Sequence, residues 1–330
     1  MVDLLVFEES LPRLTDALAH DDSLRVICWH ADGRCSLGGR TVKPDAIKPE
    51  VGWISLDILA HGEMKHYVET LLQFDTLRWV QTGHAGLDNL LYSELAERGV
   101  RLSKSYAQSI AIAEYTLAHA LHYFQDIEFR LSAQRATEWK SRRFRELFGS
   151  CWLIIGFGHI GRRVAQRARA FNAHITTLRR SGASDPAADE VIGRGELSTA
   201  LAKIDVVVLA CPENADTTGL VDTTFIAAMK KGSLLINVAR GGLIDDSALI
   251  TGLEQDRPQF AVLDAFSVEP LPVEHPYWTH PKVIITAHMS NRGSGTSDRV
   301  TEQFLDNLRR YLKDGTPDDE VDPLSLIAPT

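Results

Sequence analysis

The sequence predicts an α/β protein built from doubly wound parallel sheets, and three observations carry that prediction. Strand-like apolar runs alternate with helical patterns along most of the chain. In the second half those runs are dense in Val, Ile and Leu without polar alternation, as in strands covered on both faces. A glycine-rich turn, "GFGHIG", falls directly between one such run and an amphipathic helix.

In the first hundred residues, "LLVF" (4–7), "LRVICW" (24–29), "VGWIS" (51–55) and "LRWVQT" (77–82) read as strands. Ser10 and Pro12 mark a helix start for "RLTDALAH", and Asp57 is placed to cap "ILAHGEMKHYVETLLQF". Residues 1 to about 104 are expected to form one α/β domain. Residues 109–135 carry the longest helical pattern, apolar almost all round at its start, which suggests burial between domains or subunits. The basic connector "EWKSRRFRELFGS" reads as a solvated charge run. A second strand series follows: "CWLIIG" (151–156), "AHITTL" (173–178), "DVVVLA" (205–210), "SLLINVA" (233–239), "FAVLDA" (260–265) and "KVIITA" (282–287). The chain closes with an amphipathic helix near 296–314 and a polar tail.

At 330 residues there is material for two domains, each with its own core. A net charge of −9 argues against general nucleic-acid or acidic-membrane binding. Four cysteines, Cys28, Cys35, Cys151 and Cys211, form no CxxC pair and no metal-like cluster, so free thiols and no metal are expected. The start "MVDLLVFEES" lacks a basic n-region, and no apolar run reaches the ~20 residues of a membrane span. A cytoplasmic protein without membrane partners is the expectation.

The glycine turn assigns a separate job to each glycine. Gly156 makes the tight turn, Gly158 lets the backbone approach a pyrophosphate, and Gly161 packs helix on strand. The helix start at His159 and Ile160 offers backbone N–H groups to phosphate. In an NAD site an acid at the end of the next strand accepts hydrogen bonds from the ribose 2′-hydroxyl. Here that strand ends at Leu178 and is followed by Arg179, Arg180 and Ser181. A guanidinium pairs with a 2′-phosphate where a carboxylate would repel it. NADP(H) is therefore the expected cofactor, with NAD(H) as the alternative.

At this point the sequence resembles the D-isomer-specific 2-hydroxyacid dehydrogenases, and more closely their glyoxylate/hydroxypyruvate reductase branch. The resemblance rests on "TGHAGLDNL" (82–90), "GFGHIG", "LACPENADTTGLV" (209–221), "MKKGSLLINVARGGLIDDSALI" (229–250), "AVLDAFSVEPLP" (261–272) and "PKVIITAH" (281–288), in that order. It implies a flavodoxin-like substrate domain, 1–104 plus 292–330, and a Rossmann cofactor domain, 105–291, with a cleft between them. It also implies a homodimer with contact through the long helix after residue 109.

By the family pattern Arg240 holds and polarises a 2-oxo acid, and His288 serves as proton donor in reduction. An ordinary imidazole titrates near ~6.5, which suits that task. Glu269 is expected to pair with His288 and orient it. Asp264 matches a position near the nicotinamide carboxamide, and Cys211, Pro212, Val238 and Ala239 match the floor beneath it. Backbone N–H groups of Ala85 and Gly86 match a substrate-carboxylate loop. Trp53 is a candidate substrate contact, with buried packing as its equal rival. The chain departs from many members in reading "DAF" for "DVF" and "TAH" for "TPH", which removes a proline before the histidine. Other readings stay open: a nucleotide-sensing corepressor-like protein, or an enzyme of another donor such as phosphite or an aromatic 2-hydroxy acid.

Overall fold

The computed structural model describes residues 1–19, 21–179 and 183–327. The chain divides into two compact units, Met1–Gln108 with Ser294–Thr330, and Ser109–Gly293.

The first unit holds strands β1 (Val2–Phe7), β2 (Leu24–Trp29), β3 (Cys35–Leu37), β4 (Arg40–Val42), β5 (Pro49–Ile54), β6 (Trp79–Thr82) and β7 (Arg101–Ser103). They lie in the order β4-β3-β2-β1-β5-β6-β7. The strands β2, β1, β5, β6 and β7 run parallel, while β3 and β4 add an antiparallel hairpin at one edge. That hairpin turns on Gly38 and Gly39, both at positive φ (54° and 78°), the geometry of a primed two-residue turn. Its three-residue strands are too short to show a pattern, and the sequence reading missed them.

Side chains of β1 alternate between two cores. Leu5 and Phe7 pack with Ile27, Ile54 and Tyr67, while Leu4 and Val6 face Trp53, Trp79, Val300 and Phe304. The second cover comes from helix Thr296–Asp314, whose Val300, Phe304 and Leu308 recur at helical spacing. The helix stops at Gly315, whose positive φ of 74° lets its N–H return to the Tyr311 carbonyl. Asp57 does not cap the helix expected after it. Ser55 caps Leu56–Ala60 by accepting from Ile58 N–H, and the run breaks at Gly62 before Met64–Leu71.

The second unit holds β8 (Cys151–Ile155), β9 (His174–Leu178), β10 (Glu190–Ile192), β11 (Val206–Leu209), β12 (Leu234–Asn237), β13 (Phe260–Leu263) and β14 (Val283–Ile285). All pair in parallel, in the order β10-β9-β8-β11-β12-β13-β14. The order reverses between β8 and β11, the place where open α/β sheets bind ligands. Here too each central strand serves two cores. Leu153, Val207, Leu235 and Leu263 point to one, and Ile154, Val208, Ile236 and Val262 to the other. Each such aliphatic side chain contributes about 1.5–3 kcal/mol by leaving water.

The pattern over 109–135 resolves into two helices, Ser109–Phe124 and Ile127–Arg135, broken at Asp126 with φ 52°. The longest helix of the described residues is instead Thr296–Asp314, at 19 residues. The apolar face of Ser109–Phe124 is spent inside its own unit, where Ile112, Leu117 and Phe124 pack on Trp152, Val164 and Ala168. Exposed apolar side chains lie further on, at Leu131, Trp139, Phe144 and Phe148. No helix among the described residues is long and apolar enough to cross a membrane.

Candidate active site

Parallel strands of the second unit present their C-terminal tips along one edge of the sheet. At the tip of β8, Gly156 has φ 95°, and a Cβ there would meet Cys211 N at 2.3 Å and Ala210 C at 2.4 Å. A Cβ at Gly161 would stand 2.2 Å from the Gly156 carbonyl oxygen. Gly158 differs: nothing lies within 4 Å of where its Cβ would be. Gly158 also opens helix His159–Arg169 without any side-chain capping bond, and a helix N-terminus presents N–H groups and the positive end of its dipole to an anion. Two glycines thus hold strand and helix together, and the third leaves open space at a helix N-terminus. These residues fit a dinucleotide pyrophosphate.

The tip of β9 carries an arrangement the sequence did not reveal. Arg179 Nη1 donates to Asp185 Oδ2 at 3.1 Å, and Arg162 of the glycine-turn helix donates to the same carboxylate at 3.0 and 2.6 Å. Asp185 is almost fully buried and also accepts Ala187 N–H at 3.1 Å. An acid does stand at this strand tip, six residues downstream, but two guanidiniums occupy it. Arg180 and Ser181, also expected at this site, lie outside the described residues.

Cys211, Val238 and Ala239 are buried at the tips of β11 and β12, with Pro212 beside them. Burial pushes the Cys211 thiol up to about 11. Asn237 locks the turn after β12: its side chain donates to Arg240 O at 2.8 Å and accepts Ala239 N–H at 3.0 Å. Arg240, half-buried, donates from Nη1 to the Ala239 carbonyl at 2.8 Å. The next residue fixes this turn against the loop after β13, since a Cβ on Gly241 would lie 1.9 Å from Phe266 C.

Phe266 N–H in turn donates to Glu269 Oε1 at 2.9 Å, and His288 Nδ1 lies 3.0 Å from Glu269 Oε2. Arg240, Glu269 and His288 therefore follow three neighbouring strands, β12, β13 and β14, whose register aligns Asn237, Leu263 and Ile285. His288 has φ 48°, the left-handed region that a non-glycine residue seldom adopts.

Asp264 is buried, and its carboxylate is taken up by the chain itself. Oδ1 accepts from Thr286 Oγ1 at 2.6 Å and Met289 N–H at 2.8 Å, and Oδ2 accepts from Ser290 N–H at 3.0 Å. Within the chain it holds the loop around His288.

The remaining expected residues belong to the first unit. Ala85 and Gly86 are half-buried in the loop after β6. Trp53 requires correction as a substrate contact. Its side chain is core, stacked on Phe304 with centroids 4.6 Å apart and 4° between planes. The apolar face opposite β5 claims the indole because helix Thr296–Asp314 brings an aromatic partner to it. Among the described residues no group of three or more His, Cys, Asp or Glu could hold a metal ion.

The family described as "D-isomer specific 2-hydroxyacid dehydrogenase, NAD binding domain" matches residues 117–290. D-3-phosphoglycerate dehydrogenase of Bacillus subtilis is 31% identical over 78% of this chain and 49% of its own length. The chain thus spans about half the length of the first curated relatives it matches. Glyoxylate/hydroxypyruvate reductase A of Serratia proteamaculans is 30% identical over 78% of this chain and 83% of its own. A crystal structure of a D-isomer specific 2-hydroxyacid dehydrogenase family protein from Aeromonas salmonicida superposes with a TM-score of 0.79 at 27% identity, covering 98% of this chain and 99% of that one. The chain belongs to the D-isomer-specific 2-hydroxyacid dehydrogenase family, with the glyoxylate/hydroxypyruvate reductases among its relatives.

Proposed function

We infer that this chain catalyses NAD(P)H-dependent reduction of a small 2-oxo acid to the 2-hydroxy acid. Glyoxylate and hydroxypyruvate are the first substrates to try, and NADP(H) is the preferred cofactor. The observation that carries the reading is the His288–Glu269 pair, set on the same sheet edge as Arg240 and the glycine turn.

A bound reduced nicotinamide supplies the hydride. Arg240 holds the substrate and stabilises the charge that develops on the carbonyl oxygen. Glu269 accepts a hydrogen bond from His288 Nδ1–H, which orients the ring, and Nε2–H of the protonated imidazole gives its proton to the new alkoxide. Cys211, Pro212, Val238 and Ala239 form the floor for the cofactor ring. Backbone N–H groups of Ala85 and Gly86 are candidates for the substrate carboxylate.

The preference for NADP(H) rests on charge. Arg162 and Arg179 face one carboxylate, Asp185, so the cluster keeps net positive charge where a 2′-phosphate would bind. A homodimer through Leu131, Trp139, Phe144 and Phe148 completes the reading, since these exposed apolar side chains lie within one stretch of chain. A cytoplasmic setting suits the free cysteines.

The deciding experiment is an NADPH-oxidation screen across glyoxylate, hydroxypyruvate, pyruvate, phenylpyruvate and longer 2-oxo acids. Turnover of a short 2-oxo acid supports the reading. NADPH binding without turnover of any of them overturns it in favour of a nucleotide sensor.

A further inference from the structure

The exposed His288–Glu269 pair cannot by itself hold an imidazole in one place. Both side chains are more than a third exposed, and such pairs contribute little against water and side-chain entropy. The residue before His288 is Ala287, which imposes no backbone restriction, and His288 itself sits in the costly left-handed region. Something else must keep it there.

A chain of part-buried hydrogen bonds does so. Asp264 accepts from Thr286 on one side of His288 and from the N–H groups of Met289 and Ser290 on the other. The Thr286 hydroxyl has one proton, and it is committed to Asp264, because a carboxylate only accepts. The contact between Tyr115 Oη and Thr286 Oγ1, at 2.7 Å, therefore has Tyr115 as donor. Burial pushes the Tyr115 phenol up, so its proton stays in place. Tyr115 stands on helix Ser109–Phe124, packed against the same sheet, with His119 against its ring at 4.3 Å.

We propose that Tyr115 and Thr286 are positioning residues for proton delivery: the directed chain Tyr115 to Thr286 to Asp264 holds the loop that presents His288. Because this rests on the reductase reading above, the test combines turnover with a measurement that needs none. Tyr115→Phe and Thr286→Val remove successive links, and Thr286→Ser keeps the hydroxyl.

In both disrupting variants kcat is expected to fall about tenfold, with the solvent deuterium isotope effect on kcat rising as proton delivery becomes limiting. The Kd for NADPH, read by fluorescence, should stay within about twofold, and Thr286→Ser should restore kcat. A purely structural role would lower Tm without raising the isotope effect. Hydrogen exchange of the Met289 and Ser290 amides should accelerate at least about tenfold in both variants, whether or not any 2-oxo acid is turned over. Unchanged exchange overturns the proposal even if the enzyme is active. Faster exchange with unchanged kcat and isotope effect in an active enzyme overturns it too. An inactive wild type with the expected exchange pattern removes the reductase reading and leaves the loop anchor standing.

Discussion

Glu269 serves a backbone and a side chain at once: Oε1 takes the Phe266 N–H at 2.9 Å, and both oxygens face His288 Nδ1, Oε2 at 3.0 Å and Oε1 at 3.2 Å. One residue thereby ties the loop after β13 to the tip of β14. The two halves of that arrangement separate by substitution.

Glu269→Gln keeps an oxygen for Phe266 but removes the anion from beside the imidazole. The expected result is a fall in kcat of about 10–100-fold with the NADPH KM nearly unchanged. His288→Gln should cost about 10²–10⁴-fold in kcat while NADPH still binds. Steady-state kinetics and a fluorescence titration check both, and wild-type turnover by His288→Gln would remove that residue from the mechanism.

The glycine turn permits a test that distinguishes packing from ligand space. Gly161→Ala forces a methyl to within 2.2 Å of the Gly156 oxygen, so thermal unfolding should show a loss of about 2–3 kcal/mol. Gly158→Ala meets nothing within 4 Å, and its Tm should match the parent. Its methyl nevertheless enters the space left for a pyrophosphate, and the cofactor KM should rise about tenfold or more. A normal KM in Gly158→Ala would place the phosphates elsewhere.

Arg179→Ala leaves Asp185 with Arg162 and takes one positive charge from the tip of β9. The ratio of kcat/KM for NADPH to that for NADH should drop about 10–100-fold, mostly through the NADPH value. An equal effect on both cofactors would show that the guanidinium does not read the 2′-phosphate.

Acid stability should depend on Asp205. Burial alone would raise its carboxyl, but the Cys151 N–H at 2.9 Å, with Lys230 at 2.7 Å and Arg145 at 2.8 Å, holds it below the usual carboxylate range. A depressed native value means that the stabilisation is fully present above the unfolded value, about 3.9, and disappears as pH falls through the native one. Asp205→Asn should therefore cost about 2 kcal/mol at pH 7, a difference that stays level to about pH 5 and closes below pH 4. Denaturant unfolding at several pH values measures the gap, and a gap independent of pH down to 2 would contradict the assignment.

What the sequence makes legible follows from pattern length. The runs at 151–155, 206–209 and 234–236 are readable because two-sided burial leaves no polar residue in them. Three-residue strands such as β3, β4, β7 and β10 carry too little pattern to read. The break at Asp126 depends on one residue entering positive φ inside an otherwise continuous helical run. Trp53 stood at a readable strand end, but its stacking partner Phe304 lies 251 positions later. At the site, Arg240, Glu269 and His288 were reachable through family resemblance, since periodicity does not relate residues on three separate loops. Asp185 is not legible at the site because six positions separate it from Arg179 and only the fold carries its carboxylate back to that guanidinium. The contact of Tyr115 with Thr286 spans 171 positions and leaves no local trace at all.

The buried sulfur at the tip of β11 has a practical corollary. Burial pushes its thiol up, so Cys211 stays overwhelmingly in the thiol form at neutral pH, and the ionised form is the one that reacts. Alkylating reagents and mild peroxide should therefore react slowly with it. A cysteine introduced on the surface could carry a maleimide dye, and that label would report on the protein with this pocket residue left untouched.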